Sequence, residues 1–191
     1  MGNRRRDTLV NRVLPATLLV AFALRLFRLD FQALWWDEGD TVYFATQNLL
    51  ALTSATAADI HPPLYYYLLH FWMGPLGPGA FSVRFFSALI GMLTIPLFYQ
   101  LGRKLVPGRA PLLAALLLAI SPFHIYYSQE ARMYALATLW AVLSGYFMLR
   151  LVEDAQTAEG RGQGAASCYL LSASWWLGYI LTTAAALYTV Y

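Results

Sequence analysis

The sequence has few charged residues and a single cysteine, and both shortages restrict the kind of protein it encodes. Charged side chains make up 12% of the 191 residues, whereas hydrophobic side chains make up 59%. A soluble domain carries about 25% charged residues, so a water-soluble fold is excluded. Cys168 has no second cysteine, which excludes an intramolecular disulfide and a cysteine-based zinc cluster. No segment resembles a nucleic-acid-binding module, so we expect membrane lipids and not nucleic acid as partners.

Long apolar stretches are abundant instead. A helix that crosses a bilayer needs about 20 mostly apolar residues, and five stretches approach or exceed that length. They cover residues 13–29, 81–102, 110–128, 133–152 and 168–190. We therefore predict an all-α polytopic membrane protein with about five transmembrane helices.

The distribution of basic residues predicts the orientation of these spans. Arg4, Arg5, Arg6 and Arg12 precede the first span, and no small-residue cleavage site follows, which is typical of a retained signal anchor. The apolar segment 61–77 is short and rich in proline, so we place it along the membrane surface. Arg103, Lys104 and Arg109 then fall on the cytoplasmic side, as the positive-inside rule favours. The N-terminus is predicted to be cytoplasmic, and residues 30–80 form one long outer loop.

Two short helices are predicted along the membrane within this outer loop. Val42, Ala45, Leu49 and Leu52 recur at helical spacing and predict the first helix. The second helix begins at the prolines after His61, because proline is well tolerated in the first turn of a helix. These interfacial helices flank the acidic run LWWDEGD.

Asp37 and Glu38 in this run have two interpretations. Together with Asp40 they could cap the following helix, an interaction that contributes about 1 kcal/mol. Alternatively, they could act as a general base for a hydroxyl nucleophile or bind a metal ion at the outer membrane face. The acidic residues lack a full set of metal ligands at recognisable spacing, so a divalent cation is the only cofactor left open.

Arg132 follows in SPFHIYYSQEARMYAL, at the next outward-facing turn. Ser128 is predicted to cap the next span, and Glu130 suits its first turn. A cation in that turn opposes both the helix dipole and the topology bias. An anion such as a phosphate beside Arg132 would explain the placement. The alternative is a salt bridge to Glu130 or to the acidic loop.

Three further residues are candidates for substrate binding. Arg84 repeats the placement of Arg132 near the outer start of a helix, although it could instead extend to the lipid headgroups. His61 could contact a phosphate or a sugar hydroxyl, or it could be structural. Asp59 could provide a second acidic group near Asp37. Arg25 and Arg28 lie near the C-terminal end of the first span, where the helix dipole favours cations, and we assign them no function.

Four ordered segments carry a resemblance to a known family. Together they resemble the N-terminal half of the GT-C superfamily of membrane glycosyltransferases, and within it the bacterial protein O-mannosyltransferase and aminoarabinose transferase group. The segments are WWDEGDTVYFA, HPPLYYYLLHFW, VRFFSALIGMLTIPLFYQLGRKL and SPFHIYYSQEARMYAL.

This resemblance implies a function and roles for specific residues. Members transfer a hexosyl or pentosyl group from a polyprenyl-phosphate carrier to a hydroxyl of a protein, lipid or glycan, at the outer face of the bacterial plasma membrane. The family's catalytic aspartate matches Asp37, with Glu38 as its usual companion. Its phosphate-contacting basic residue matches Arg132, and the often basic position before the two prolines is His61.

The resemblance also implies further spans beyond residue 191. We therefore expect residues 1–191 to be the N-terminal transmembrane part of a GT-C-like module. Two other classes of protein remain: a truncated fragment without catalytic activity, and a transporter subunit. A transporter should carry ionisable residues in the middle of its spans, and the predicted spans have almost none there.

Overall fold

All regular secondary structure in the described part of the chain is helical. The computed structural model describes the backbone of residues 2–160 and 165–190, and the side chains of 10, 12–157 and 173–190. These residues form nine helices and no strand. The helices are α1 (Gly2–Leu26), α2 (Trp36–Thr46), α3 (Leu49–Ala57), α4 (Leu64–Leu76), α5 (Ala80–Leu105), α6 (Ala110–Ile120), α7 (Pro122–Ser128), α8 (Tyr134–Gly160) and α9 (Ala165–Val190). The predicted all-α class is confirmed.

Two helices of the described chain are long and apolar enough to cross a membrane. They are α5, with a mean hydropathy of 1.7, and residues 134–157 of α8, with a mean hydropathy of 1.6. These helices coincide with the spans predicted at 81–102 and 133–152. The spans predicted at 13–29 and 168–190 coincide with α1 and α9. Both helices extend into residues whose side chains are not described, and these two spans stay predictions.

The span predicted at 110–128 is not one straight helix. It consists of α6 and α7, which meet at an angle of 57° and count as a third span only if taken together. Pro122 lacks the backbone N–H that would continue α6. The Ser121 side chain accepts a hydrogen bond from the His124 N–H at 3.4 Å and starts α7 as a new helix. This local sequence explains why the chain bends here.

The outer loop contains three short helices instead of the predicted two. The helix expected over residues 42–52 is broken between α2 and α3, because the Asn48 side chain accepts a hydrogen bond from the Ala51 N–H at 2.9 Å and starts a new helix. Helix α4 begins one residue after Pro63, close to the predicted start. The prediction missed the break because the apolar spacing continues across it.

These short helices pack on α5 and on the start of α8. Their shared core is apolar and buried, and the hydroxyl groups of Tyr65 and Ser87 form a buried hydrogen bond of 3.0 Å within it. Residues from all these elements contribute to the core: Ala45, Leu52, Tyr65, Tyr66, Leu69, Met73, Val83, Ile90, Ala131, Met133, Ala135, Leu136 and Leu139. The packing places the first turn of α2 against the turn that precedes α8.

A second buried contact joins α1 to the bend between α6 and α7. Arg25 is fully buried, and its Nε donates to Ser128 Oγ at 3.3 Å. Its Nη1 donates to the carbonyls of Ala21 and Ala119, and its Nη2 lies 2.7 Å from His124 Nδ1. Ser128 therefore does not cap the next span as predicted, because that helix begins six residues later. Arg25 is a buried contact between helices and not merely a cation at a helix end.

Gly91 lets α5 approach this contact closely. A Cβ at Gly91 would lie 2.8 Å from the Cβ of Ser128 and 3.6 Å from Nε of Arg25. We expect Gly91→Ala to lower the stability of the protein by about 1–3 kcal/mol, the usual cost of overpacking. Thermal unfolding in lipid nanodiscs measures the effect.

Gly145→Ala is the matched control for Gly91→Ala, because its Cβ would meet only Leu101 methyl groups, the nearest at 3.7 Å. That change should leave stability unchanged or raise it by up to about 1 kcal/mol through helix propensity. Equal melting temperatures for the two variants would contradict the close packing at Gly91.

Candidate active site

The first turn of α2 is attached to α5 and to the turn before α8 by Glu38. This side chain is 1% exposed, and Arg84 donates to both of its oxygens, from Nε at 2.9 Å and from Nη2 at 2.6 Å. The backbone N–H of Ala131 also donates to Oε1, at 2.9 Å. Oε2 accepts from the Trp35 N–H at 3.3 Å, so Glu38 also caps its own helix. Glu38 therefore caps α2, as one interpretation of the acidic run predicted. It also joins α2 to α5 and to the turn before α8.

Arg84 uses its remaining donors on the chain that precedes α2. Its Nη1 donates to the carbonyls of Leu29 and Gln32, at 3.1 and 2.9 Å, and its Nη2 also donates to the carbonyl of Ala33 at 3.2 Å. The residue is 4% exposed, so the side chain does not extend to the headgroups. All three guanidinium nitrogens are engaged inside the protein, which favours a positioning role. Substrate binding by Arg84 stays a prediction.

The hydrogen bond between Glu38 and Ala131 brings Asp37 and Arg132 together, because Asp37 directly precedes Glu38 and Arg132 directly follows Ala131. Nη2 of Arg132 lies 3.8 Å from Oδ2 of Asp37, and Nη1 lies 3.5 Å from the Asp37 carbonyl. The Asp37 side chain is 40% exposed, whereas that of Arg132 is 8% exposed. The structure therefore presents an accessible carboxylate beside a largely buried cation.

His61 extends this site on the other side of Arg132. Its Nε2 lies 3.5 Å from Nη2 of Arg132, and its Nδ1 lies 3.2 Å from Oδ2 of Asp59. Because Arg132 can only donate, the contact favours the tautomer with its proton on Nδ1, which then donates to Asp59. Partial burial acts to raise the pKa of Asp59, but hydrogen bonds from Ile60 and His61, together with the charge of His61, hold it below its usual value. Asp59 therefore contacts His61, and it is linked to Asp37 only through His61 and Arg132.

Arg132 does not lie in the first turn of a helix as predicted, because α8 begins two residues later at Tyr134. Arg132 forms an ion pair with Asp37. The predicted alternative of a salt bridge to the acidic loop is therefore present, but its N–O distance is long. At 3.8 Å this pair exceeds normal hydrogen-bond length, and the buried Nε has no hydrogen-bond partner within the described chain. Arg132 therefore has hydrogen-bond donors left for an anionic ligand.

Gln129 was missed by the sequence interpretation. Its side-chain amide donates to the carbonyls of Leu24, Arg25 and Phe27, at 3.3, 3.1 and 2.9 Å, and thereby fixes the turn before α8 to the end of α1. Nothing in the sequence around a glutamine identifies such a long-range contact.

A metal site is not assigned. Across the described residues, no group of three or more histidine, cysteine, aspartate or glutamate side chains is arranged to hold a metal ion. The carboxylate of Glu38 is already engaged by Arg84 and two backbone N–H groups. The acidic pair therefore does not present two free carboxylates.

Comparison with known proteins gives one finding. Residues 60–190 match the dolichyl-phosphate-mannose-protein mannosyltransferase family, a GT-C glycosyltransferase family. The matched range includes His61, Arg84 and Arg132, whereas Asp37 and Glu38 precede it. Neither a curated protein nor a solved structure gives a significant match. Because the match covers well over half of an all-helical chain with membrane-spanning helices, the chain belongs to the dolichyl-phosphate-mannose-protein mannosyltransferase family.

Proposed function

We propose that this protein transfers a mannosyl group from a polyprenyl-phosphate carrier to an acceptor hydroxyl at the outer face of a bacterial plasma membrane. The supporting observation is the pairing of an accessible Asp37 carboxylate with the largely buried Arg132 guanidinium, 3.8 Å apart. Transfer to a hydroxyl requires a base for the acceptor and a positive charge for the departing phosphate. These two residues supply both requirements at one place. The acceptor hydroxyl belongs to a protein, lipid or glycan.

Asp37 acts as the general base in this proposal. The acceptor oxygen forms a bond to the anomeric carbon while its proton passes to the Asp37 carboxylate. The bond from the anomeric carbon to the phosphate oxygen breaks, and its electron pair leaves with the lipid phosphate. Asp37 suits this role better than Glu38, because its carboxylate is 40% exposed and its one ion pair is long. Glu38 is buried and fully engaged.

Arg132 binds the carrier phosphate in this proposal, and His61 is a second donor to it when its Nε2 also carries a proton. The guanidinium has a buried Nε without a hydrogen-bond partner among the described residues, and its Nη2 is shared between long contacts to Asp37 and His61. A phosphate would supply short, charge-assisted hydrogen bonds in place of these long contacts. The negative charge that develops on the phosphate during bond cleavage would strengthen them further, which is the basis of the catalytic effect.

The surroundings of the site suit a substrate that is anchored in lipid. The short helices expose large aromatic rings, including Trp36 at 81%, Tyr43 at 63% and Phe71 at 64%. Exposed tryptophan and tyrosine are enriched at the level of the lipid headgroups. A carrier with its tail in hydrocarbon presents its phosphate at the same level. We place the site there, with the N-terminus of the chain on the cytoplasmic side.

A transfer assay tests the proposal. Membranes that contain this chain are supplied with radiolabelled polyprenyl-phosphate mannose, and label in protein, lipid and glycan fractions is compared with membranes lacking the chain. Parallel labelling with a photoreactive polyprenyl-phosphate mannose reports donor binding without requiring turnover. Chain-dependent transfer supports the proposal. The absence of both transfer and saturable donor labelling by the folded chain would overturn it.

Arg132→Ala is expected to weaken donor labelling by tenfold or more, since a hydrogen bond to a charged group contributes about 1.5–3 kcal/mol. Arg132→Lys should recover only part of the loss, because an ammonium group lacks the planar arrangement of donors. Arg103→Ala serves as the matched control. Arg103 lies in the last turn of α5, whereas the proposed site adjoins the first turns of that helix. Undiminished donor labelling by Arg132→Ala would exclude the phosphate role.

A further inference from the structure

A cleft lies beside the end of α1, next to the proposed transfer site. Its volume is 310 Å³, within the size range of small-ligand sites. Glu38 and Arg84 line it, whereas Asp37, Arg132 and His61 do not. The other lining residues are Phe27, Arg28, Leu29, Phe31, Gln32, Trp35, Tyr126, Gln129 and Glu130. Because Glu38 and Arg84 bind each other, Arg28 and Glu130 are the charged groups of the cleft that remain for a ligand.

Glu130 is a buried acid with one carboxylate oxygen that has no partner within the described chain. It is 7% exposed, and the oxygen without a hydrogen-bond partner there is Oε2. Its neighbours are all engaged: Gln129 binds α1, the Ala131 N–H binds Glu38, and Arg132 contacts Asp37. Buried polar atoms almost always have a partner, so an unpaired carboxylate oxygen in the wall of a cleft indicates a missing donor.

Arg28 lies in the same wall and has the opposite charge. It is the one residue other than glycine with a positive φ in the described chain, at 58°. This left-handed conformation costs about 1–2 kcal/mol and is often retained at functional sites. Its guanidinium carbon lies 3.5 Å from the centre of the Phe31 ring, and no carboxylate of the described chain pairs with it. We assigned Arg28 no function from sequence, but its left-handed conformation and its unpaired charge in the lining of the cleft suit an anionic ligand.

We propose that this cleft binds the headgroup of an aminophospholipid such as phosphatidylethanolamine. The ammonium group of the lipid donates to Glu130, and the lipid phosphate accepts from Arg28. The ligand must carry one positive donor and one negative acceptor, because the two free charges of the cleft have opposite signs. A neutral sugar or a lone metal ion would leave one of these charges unpaired.

The position of the cleft favours a lipid as the source of this zwitterion. It lies at the end of the long α1 helix, and Phe27 and Phe31 in its wall are 69% and 70% exposed. Trp35 and Tyr126 also line the cleft and are 43% and 60% exposed, and exposed tryptophan and tyrosine are enriched at the level of the lipid headgroups. A primary ammonium donates hydrogen bonds to a carboxylate, whereas the quaternary ammonium of phosphatidylcholine cannot. The site should therefore discriminate between these two lipids.

Native mass spectrometry of the purified chain provides the test. The protein is incubated in detergent with equal amounts of phosphatidylethanolamine, phosphatidylcholine and phosphatidylglycerol, and the retained lipid is quantified. We expect retention of phosphatidylethanolamine over phosphatidylcholine by about tenfold, the contribution of one charged hydrogen bond. Glu130→Gln should remove this selectivity, and Arg28→Ala should reduce retention of all three lipids. Soluble glycerophosphoethanolamine is added as a separate competitor. Because the proposal assigns binding to the headgroup, we expect this compound to displace phosphatidylethanolamine.

The control variant is Glu153→Gln. Glu153 is 42% exposed, pairs with Lys104 and does not line the cleft. Equal retention of the two lipids by the wild type would overturn the proposal, and so would selectivity that survives Glu130→Gln. Displacement by a neutral disaccharide in place of glycerophosphoethanolamine would assign the cleft to a sugar instead. Arg28 is exposed, so Arg28→Ala keeps the proposal testable even if Glu130→Gln fails to fold.

Discussion

Replacing Asp37 by asparagine is expected to reduce mannosyl transfer by about 10²–10⁴-fold, the usual contribution of a general base. The substitution preserves size and shape but removes the group that would take the acceptor proton. Because the carboxylate is 40% exposed and its ion pair with Arg132 is long, folding should be little affected. The measurements are the transfer rate at saturating donor and the melting temperature in nanodiscs.

Asp40→Asn is the matched control for this substitution. Asp40 lies on the same helix, three residues later, and its side chain is exposed. Transfer by Asp40→Asn should stay within a few-fold of the wild type, since no substrate contact is assigned to it. Donor labelling should survive in Asp37→Asn, because Arg132 and His61 remain. If Asp37→Asn transfers at the wild-type rate, the base must be sought elsewhere.

The fold class could be predicted from the sequence because it depends on local composition. Long apolar stretches produce membrane helices whatever their neighbours are, and α5 and α8 lie where they were expected. The errors arose where one polar side chain redirects the backbone. Asn48 divides the helix predicted over 42–52, and Ser121 with Pro122 bends the span predicted at 110–128. Apolar spacing alone does not report such local hydrogen bonds.

The candidate site could be predicted in part. Arg132 was singled out because a cation there opposes the helix dipole and the topology bias. Asp37 was singled out by its acidic run and His61 by the prolines that follow it, and the family resemblance supported both. The structure brings the three residues together. Their convergence depends on contacts across 93 residues of sequence, from Glu38 to Ala131, which no local pattern reveals. For the same reason the sequence could not distinguish the buried, engaged Glu38 and Arg84 from the accessible Asp37.

Breaking the ion pair between Glu38 and Arg84 is expected to destabilise the protein more than any other single change considered. Glu38→Gln leaves the Arg84 cation buried without a counter-charge, which typically costs about 3–5 kcal/mol. By contrast, Glu153→Gln breaks a pair whose acid is 42% exposed, and it should cost at most about 1 kcal/mol. Thermal unfolding of the two variants in the same nanodiscs gives the comparison.

Transfer by Glu38→Gln decides between a positioning and a chemical role for this residue. If Glu38 positions the site, loss of its bonds to Arg84 and Ala131 shifts Asp37 relative to Arg132, so stability, donor labelling and transfer should fall together. A normal melting temperature with abolished transfer would instead assign Glu38 to the chemistry. The double variant Glu38→Leu/Arg84→Met removes both charges and should be less destabilised than the sum of its single variants, by about 0.5–3 kcal/mol. It should still transfer poorly, because the Ala131 N–H then has no acceptor to hold the turn before α8 against α2.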